Sequence, residues 1–236
     1  MPHDSTNFRP LRPLTAPAAI LQRRATRHYD PNRPIDDELL KTILRLATYA
    51  PSGYNLQPWR FIVVRSRRNR EKLRGCAFGQ PTITEAPVTV IVLGYHAPHQ
   101  TDLDDVLAEQ LRLEAITQDV VPRLKAGALR AMERVVEMEV WVTRSTMPAV
   151  TLLMIAAESF GVSSTPIEGF EPEKLRQAFG IPDDHSICCL VTLGHALSLK
   201  PFPGRFNLDR VCYEEHFGQP WTLGEPDLGD LSGSQP

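Results

Sequence analysis

Residues 50–61 (APSGYNLQPWRF) constrain the fold of this chain more than any other stretch of its sequence. Before them, apolar residues recur at helical spacing over residues 39–47, and after them a short β-branched run at 61–64 predicts a buried strand. The turn between contains two prolines and a glycine, so it is stiff. Its Asn55 and Gln57 amides offer donors and acceptors that suit the edge of a flat heterocycle. The alternative is a plain helix-to-strand connection that packs Trp59 and Phe61 into the core.

Length and composition exclude several classes of protein. The 236 residues are 42% hydrophobic, which is enough for one substantial core. A net charge of -2 argues against a dedicated nucleic-acid binder, and no run approaches the roughly 18 apolar residues that span a bilayer. Residues 1–13 lack the apolar region of a secretory signal, and the four cysteines lack zinc-site spacing. We therefore expect a cytoplasmic protein with reduced thiols, bound to neither membrane nor nucleic acid.

The hydrophobic pattern predicts seven helices and three buried strands. The helices fall at residues 17–24, 34–49, 68–76, 103–118, 123–144, 148–160 and 171–180, and the strands at 61–64, 88–93 and 186–193. Pro148 is expected to interrupt or open a helix. Residues 149–157 are apolar on almost every face, so they must be buried, either inside a monomer or in a dimer seam. We expect a loose arm at 1–16, one domain at 17–218 and a tail at 219–236, with the irregular segment after Gly194 wrapped over the body.

The side chains favour binding over direct catalysis. The sequence contains no GxSxG, Walker-type or HExxH motif, and its histidines show no metal-ligand spacing beyond His96 and His99, which we expect to be solvated. A bound cofactor would then carry the reaction. Arg23 and Arg27 are four residues apart, so a helical turn would place both guanidinium groups on one face, where they suit a phosphate. The alternative is a solvated basic face.

Three blocks of sequence resemble those of the FMN-dependent nitroreductase family. They are the first block (residues 23–27, RRATR), the second block (residues 50–59, APSGYNLQPW) and the third block (residues 166–170, PIEGF). Their order and spacing match the family, and the similarity extends over residues 17–217. The resemblance implies an α+β nitroreductase-like fold with a central mixed β-sheet flanked by helices. It also implies a homodimer that exchanges its C-terminal arms and holds FMN at the subunit interface.

The resemblance also implies which residues bind FMN. Arginines of the first block would hold the phosphate and the pyrimidine edge, the second block would reach the FMN of the other subunit, and the third would lie along the flavin. Thr84 stands roughly where the family often has an amide side chain. The implied set is Arg23, Arg24, Ala25, Arg27, Pro51, Ser52, Gly53, Asn55, Gln57, Thr84, Pro166, Ile167, Glu168, Gly169 and Arg205. Ala25 replaces the usual serine, and the lost hydrogen bond is worth about 0.5–1.5 kcal/mol.

By the same resemblance, NADH or NADPH would pass hydride to flavin N5. The reduced flavin would then reduce a nitroaromatic, a quinone or a similar small electrophile by a ping-pong mechanism, with no side chain acting as acid or base. Two alternatives stay open, namely a flavin-binding storage or sensor protein without turnover, and a related flavin reaction such as reductive dehalogenation. The segment at 123–144 is a candidate substrate lid. The sequence shows no adenosine-phosphate pocket.

Overall fold

The computed structural model describes residues 13–198 and 200–232, and its centre is one four-stranded β-sheet. The strands are β1 (Trp59–Val64), β2 (Val88–Tyr95), β3 (Ser163–Ile167) and β4 (His185–Gly194). Their spatial order is β1-β2-β4-β3, so β1 and β3 form the two edges. All three strand pairs are antiparallel, and the parallel pairing that a mixed sheet requires is confined to one bridge between Ala25 and Ser164.

Ten α-helices surround this sheet within the described residues. They are α1 (Ala16–Gln22), α2 (Asp37–Ala47), α3 (Arg67–Cys76), α4 (Thr82–Glu85), α5 (Pro98–Thr101), α6 (Leu103–Arg112), α7 (Val121–Glu133), α8 (Met138–Ser159), α9 (Pro172–Phe179) and α10 (Leu208–Val211). Short 3-10 turns lie at Gly53–Asn55, Gln118–Val120 and Gly229–Ser232. The α+β class predicted from the sequence is confirmed by this arrangement.

Each face of the sheet buries its own hydrophobic core. Val90 and Val92 point to the face covered by α2 and α8, whereas their neighbours Ile91 and Leu93 pack with the residues of α3 and α9. Alternate residues of a strand point to opposite faces, so both sides of β2 are apolar and buried. A third cluster joins α6 and α7 to Leu56, which is fully buried in the second block. This third cluster therefore connects α7, which is part of the candidate lid, to the second block.

The helices between residues 103 and 160 differ most from the sequence prediction. The helix predicted at 123–144 is two helices, because α7 ends at Glu133 and α8 begins at Met138. Pro148 neither opens nor interrupts a helix, since it lies inside α8, which is 22 residues long in total. A proline inside a helix removes one backbone hydrogen bond. Packing of α8 against α2 and the sheet offsets this loss.

The last described turn lies close to the first helix. The turn at Gly229–Ser232 packs against α1 of the same chain. Most of the predicted N-terminal arm lies outside the described residues, and the predicted domain boundaries stay predictions. Within the described part, α8 has the length and composition of a membrane span, with mean hydropathy 1.3 over an 18-residue window that is 39% buried, a pattern that core helices of soluble proteins share.

Candidate functional site

The first and third blocks meet at the β3 edge of the sheet. Helix α1 ends at Gln22, and the extended chain that follows pairs Ala25 with Ser164 beside β3. The Thr165 hydroxyl donates a hydrogen bond to the Thr26 carbonyl at 2.6 Å, which fixes the two segments together. Thr26 is buried, whereas Ala25 stays exposed. The structure therefore brings two of the three predicted blocks onto one open face.

The arginines of this edge differ in how they are held. Arg24 Nη1 donates to the Leu21 carbonyl at 2.6 Å and to the Arg23 carbonyl at 2.9 Å, so its guanidinium caps the end of α1. Arg23 Nη1 is buried and has no hydrogen-bond partner among the described residues. An unpaired buried donor of a charged group is energetically costly. Arg23 therefore has an unused donor available to an anion.

The C-terminal arm adds a third cation, Arg205, to this edge. The Phe202 ring lies 4.8 Å from the Arg24 guanidinium carbon and 5.5 Å from that of Arg205. Cation–π contact with one ring thus brings Arg205 to the first block within a single chain. Glu158 at the end of α8 is the acidic group of this cluster, and its Oε2 atom is buried without a partner. Burial raises the pKa of the Glu158 carboxyl, and the charges of Arg23 and Arg24 act in the opposite direction.

The third block is fixed from the opposite side by Gln80. Pro166 and Ile167 end β3, and Glu168 and Gly169 follow as exposed backbone. Gln80 Nε2 donates to the Gly169 carbonyl at 2.8 Å and to the Ala77 carbonyl at 3.2 Å. A Cβ atom at Gly169 would lie 3.3 Å from Nε2 of Gln80, so a glycine suits this close approach.

Thr84 is directed elsewhere. Its hydroxyl donates to the Pro81 carbonyl at 3.0 Å, and the residue lines a separate cavity beside α3. The amide beside the third block is that of Gln80, which the sequence analysis did not select. The nearby Thr82 hydroxyl donates to the Arg27 carbonyl at 3.3 Å and ties α4 to the first block. The available signal was a carboxamide next to Pro81, in the segment before β2.

The second block lies at another part of the molecule. Pro51, Gly53 and Asn55 are exposed, whereas Ser52 and Gln57 are partly buried. The backbone N–H of Gln57 donates a hydrogen bond to the Ser52 hydroxyl at 2.9 Å. Tyr54, Asn55 and Gln57 all have positive φ, which holds the turn in a fixed shape. None of its hydrogen bonds within the described chain reaches the first or third block. One chain therefore presents two separate parts of the predicted site.

The residues at the β3 edge fit a flat cofactor that carries a phosphate. Arg23 has a buried donor without a partner among the described residues, Arg24 and Arg205 both contact the Phe202 ring, and exposed residues of the third block leave an open face. Among the described residues, no cluster of histidine, cysteine and carboxylate side chains suits a metal ion. Burial raises the pKa of Cys189 to about 12, so this thiol stays protonated. The site is thus suited to holding a cofactor.

Comparison with known proteins identifies the family. The model of the nitroreductase family matches residues 20–195. An NADH dehydrogenase of Thermus thermophilus is 34% identical over 202 residues, covering 84% of this chain and 95% of that protein. YodC of Bacillus subtilis, named as an NAD(P)H nitroreductase, is 31% identical over 202 residues, covering 84% and 98%. The crystal structure of an Exiguobacterium sibiricum protein named as a nitroreductase, in complex with FMN, has a TM-score of 0.77 at 26% identity and covers 82% of this chain and 94% of that chain. The chain belongs to the nitroreductase family.

Proposed function

We propose that the protein is an FMN-dependent NAD(P)H oxidoreductase that acts as a homodimer. The observation that carries this proposal is the buried, unpartnered Nη1 of Arg23 at the junction of the first and third blocks. The names of the Thermus and Bacillus relatives and the FMN complex of the Exiguobacterium protein support it. When bound, FMN supplies the redox chemistry, taking hydride from NADH or NADPH and reducing a nitroaromatic, a quinone or a similar electrophile in a ping-pong cycle.

The residues at the β3 edge would bind and orient the cofactor. Arg23, Arg24 and Arg205 would bind the phosphate, since guanidinium groups pair with phosphate through two parallel hydrogen bonds. Ala25 and Arg27 stay in the proposed set, and Gln80 takes the place that the resemblance gave to Thr84. The third block would lie along the ring, with Pro166, Glu168 and Gly169 exposed and Ile167 buried behind them. None of these side chains is required to transfer a proton.

A second copy of the chain would complete the site. The second block of the partner, with Pro51, Ser52, Gly53, Asn55 and Gln57, would cover the cofactor. The surface of α8 supports this arrangement, because Val140 and Thr151 are exposed and Met147, Pro148 and Ile155 are only partly buried along one stripe of an apolar helix. The stripe also carries the exposed Arg144, and a largely apolar stripe at helical spacing is typical of a helix that packs against another. Helix α7 packs beside Tyr54 and would limit the size of the electron acceptor.

The test begins with the colour of the purified protein. We expect flavin absorbance that bleaches under NADH or NADPH without oxygen and returns on addition of a nitroaromatic or a quinone. Arg23→Ala should weaken FMN binding about 10- to 150-fold, because a hydrogen bond to a charged group is worth about 1.5–3 kcal/mol. Arg68→Ala, an exposed arginine on α3, is the matched control. A colourless protein, or full FMN retention in Arg23→Ala, would contradict the proposal.

Complementation between two variants tests the shared site. Arg23→Ala and Asn55→Ala homodimers should each bind FMN poorly. In a heterodimer of the two, one site combines both substitutions and the other has neither. We therefore expect one tightly bound FMN per purified heterodimer, measured by flavin absorbance against protein mass. A heterodimer that retains no FMN would show that Arg23 and Asn55 do not come from different subunits. Bound flavin without turnover with any acceptor would instead favour a storage or sensor protein.

A further inference from the structure

A cavity of about 960 Å³ beside α3 lies apart from the arginines and the third block that are proposed above to bind FMN. Its charged lining comes from the end of β1 and from α3, and consists mainly of Arg65, Arg67, Arg70 and Arg74. Its apolar lining comes from the loop before α2 and from the start of β2, through Pro31, Pro34, Ile35, Pro87 and Val88. The volume lies at the upper end of the range for small-molecule sites, about 300–1,000 Å³. The cavity therefore has a charged side, formed by guanidinium groups, and an apolar side, formed largely by prolines.

Arg70 is fixed in this cavity by the backbone. Its Nη1 donates to the Thr84 carbonyl at 2.7 Å and also to the Ala86 carbonyl, while Nε donates to the Arg65 carbonyl at 3.1 Å. These contacts leave Nη2 without a hydrogen-bond partner among the described residues. Burial and the charge of Arg67 both lower the pKa of Arg70, so this cation is held in an unfavourable environment that an anion would relieve.

The remaining charges leave the cavity positive. Arg65 pairs with Asp37 at 2.5 Å, and Arg67 pairs with Glu71 at 3.0 Å through Nε alone. Arg74 Nε donates to the Gly79 carbonyl at 2.7 Å, and the described residues give it no carboxylate partner. The other lining carboxylate, Glu85, lies 3.1 Å from the His28 ring, a contact that is an ion pair only when His28 is protonated. Arg70 and Arg74 have no acidic partner among the described residues, and the four lining arginines exceed the two lining carboxylates, Glu71 and Glu85, by two charges.

We propose that this cavity binds a phosphorylated nucleoside, with its phosphate on Arg67, Arg70 and Arg74 and its base against the proline-rich surface. Guanidinium forks recognise phosphate geometry, and apolar surface favours the face of a flat base. The sequence alone showed no adenosine-phosphate pocket. The arginines of the cavity and the prolines before α2 lie about thirty residues apart in the sequence, and only the fold brings them together. The binding does not depend on FMN. The nucleoside phosphate is either a free nucleotide or the adenosine half of NADPH.

Isothermal titration calorimetry of the purified full-length protein tests this assignment. The probes are 5′-AMP, adenosine 2′,5′-bisphosphate, adenosine and inorganic phosphate. We expect both nucleotides to bind more tightly than adenosine or inorganic phosphate. Arg67→Ala and Arg74→Ala should each weaken nucleotide binding about tenfold, because each removes a hydrogen bond to a charged group. Arg70 is left intact, because its three backbone contacts make it part of the fold.

Arg68→Ala provides the control, since it removes an exposed arginine of α3 that does not line the cavity. It should leave the dissociation constant within about twofold of wild type. An equal loss of nucleotide affinity in Arg68→Ala would overturn the assignment. Unchanged affinity in both Arg67→Ala and Arg74→Ala would also overturn it. Thermal melting confirms that each variant is folded. Inorganic phosphate binding as tightly as 5′-AMP would overturn the nucleoside part. Preference for the 2′,5′-bisphosphate, with a raised KM for NADPH but not NADH in Arg74→Ala, identifies the dinucleotide as the source. Preference for 5′-AMP, with unchanged KM values for both NADH and NADPH in Arg74→Ala, identifies a free nucleotide.

Discussion

Gln80 joins two segments of the candidate site through one carboxamide. Its Nε2 donates to the carbonyls of Ala77 and Gly169, so the third block depends on this side chain for its position. We expect Gln80→Ala to weaken FMN binding about 5- to 15-fold, because a neutral hydrogen bond contributes about 1 kcal/mol and the freed loop also becomes less ordered. FMN dissociation constants from fluorescence titration give the measurement.

Thr84→Ala is the matched comparison for Gln80→Ala. Within the described part of the chain the Thr84 hydroxyl donates only to the nearby Pro81 carbonyl, so its removal should change FMN affinity less than twofold. A larger loss in Thr84→Ala than in Gln80→Ala would restore the assignment made from the sequence. The sequence could not decide between Thr84 and Gln80, because a distant residue sets the direction of α4. The Arg70 guanidinium on α3 donates to the Thr84 and Ala86 carbonyls, and Arg70 lies fourteen residues before Thr84. Contacts of that range leave no local pattern.

At the scale of elements, helix α8 shows where local pattern and tertiary packing disagree. Pro148 indicates a helix boundary by its own chemistry, yet α8 runs through it. The apolar character of residues 149–157 correctly predicted burial, and Ala149, Val150, Leu153 and Ala157 are fully buried. The three strands predicted as buried runs are present, each slightly longer than expected. β3 has only five residues and contains a proline, so it gives no buried strand run in the sequence.

The exposed stripe of α8 leads to a prediction about assembly. Val140 is 41% exposed in one chain, and Thr151 is also exposed. Val140→Asp and Thr151→Lys should each leave the protomer folded and weaken dimerisation at least about 100-fold. A two-fold interface places both copies of the new charge in the seam, and such juxtaposition costs several kcal/mol. Sedimentation velocity gives the measurement, with the exposed Asn69→Lys on α3 as control. Wild-type sedimentation of both α8 variants would rule out α8 as the seam.

For the whole molecule, the main determinant that the sequence revealed is the order of the three blocks, which identified the family. It also revealed the central buried strands, because β-branched runs are local signals. The pairing order β1-β2-β4-β3 depends on long-range contacts that no window of sequence contains.

The prediction from the sequence failed most clearly for the burial of two histidines. His96 and His99 were predicted to be solvated, and this was wrong, since both are half-buried and His96 Nε2 lies 2.8 Å from the Ser186 hydroxyl.

The three histidines that burial affects give the molecule a predicted pH dependence. Burial lowers the pKa of His96, His99 and His195, and the charge of Arg33 adds to the effect at His195. A lowered pKa means that the folded state binds protons less readily than the unfolded chain. Their contribution to stability is therefore complete above the unfolded pKa of about 6.5 and is lost as pH falls below it towards the folded values. The buried Glu158, whose pKa is raised, acts in the opposite direction.

Urea unfolding at pH 8, 7, 6 and 5.5 measures this loss. We expect the unfolding midpoint to change little between pH 8 and 7 and to fall steadily below pH 6.5. His195→Asn keeps a side-chain donor near the Gly161 carbonyl, which lies 3.1 Å from His195 Nδ1, but removes the titrating ring. The variant should be less stable at pH 8 and should lose less stability on acidification. Asp37 and Glu109 do not interfere, because their pKa values are lowered by Arg65 and Arg112 and they titrate only in stronger acid. Equal slopes below pH 6.5 in wild type and His195→Asn would show that His195 carries none of the dependence.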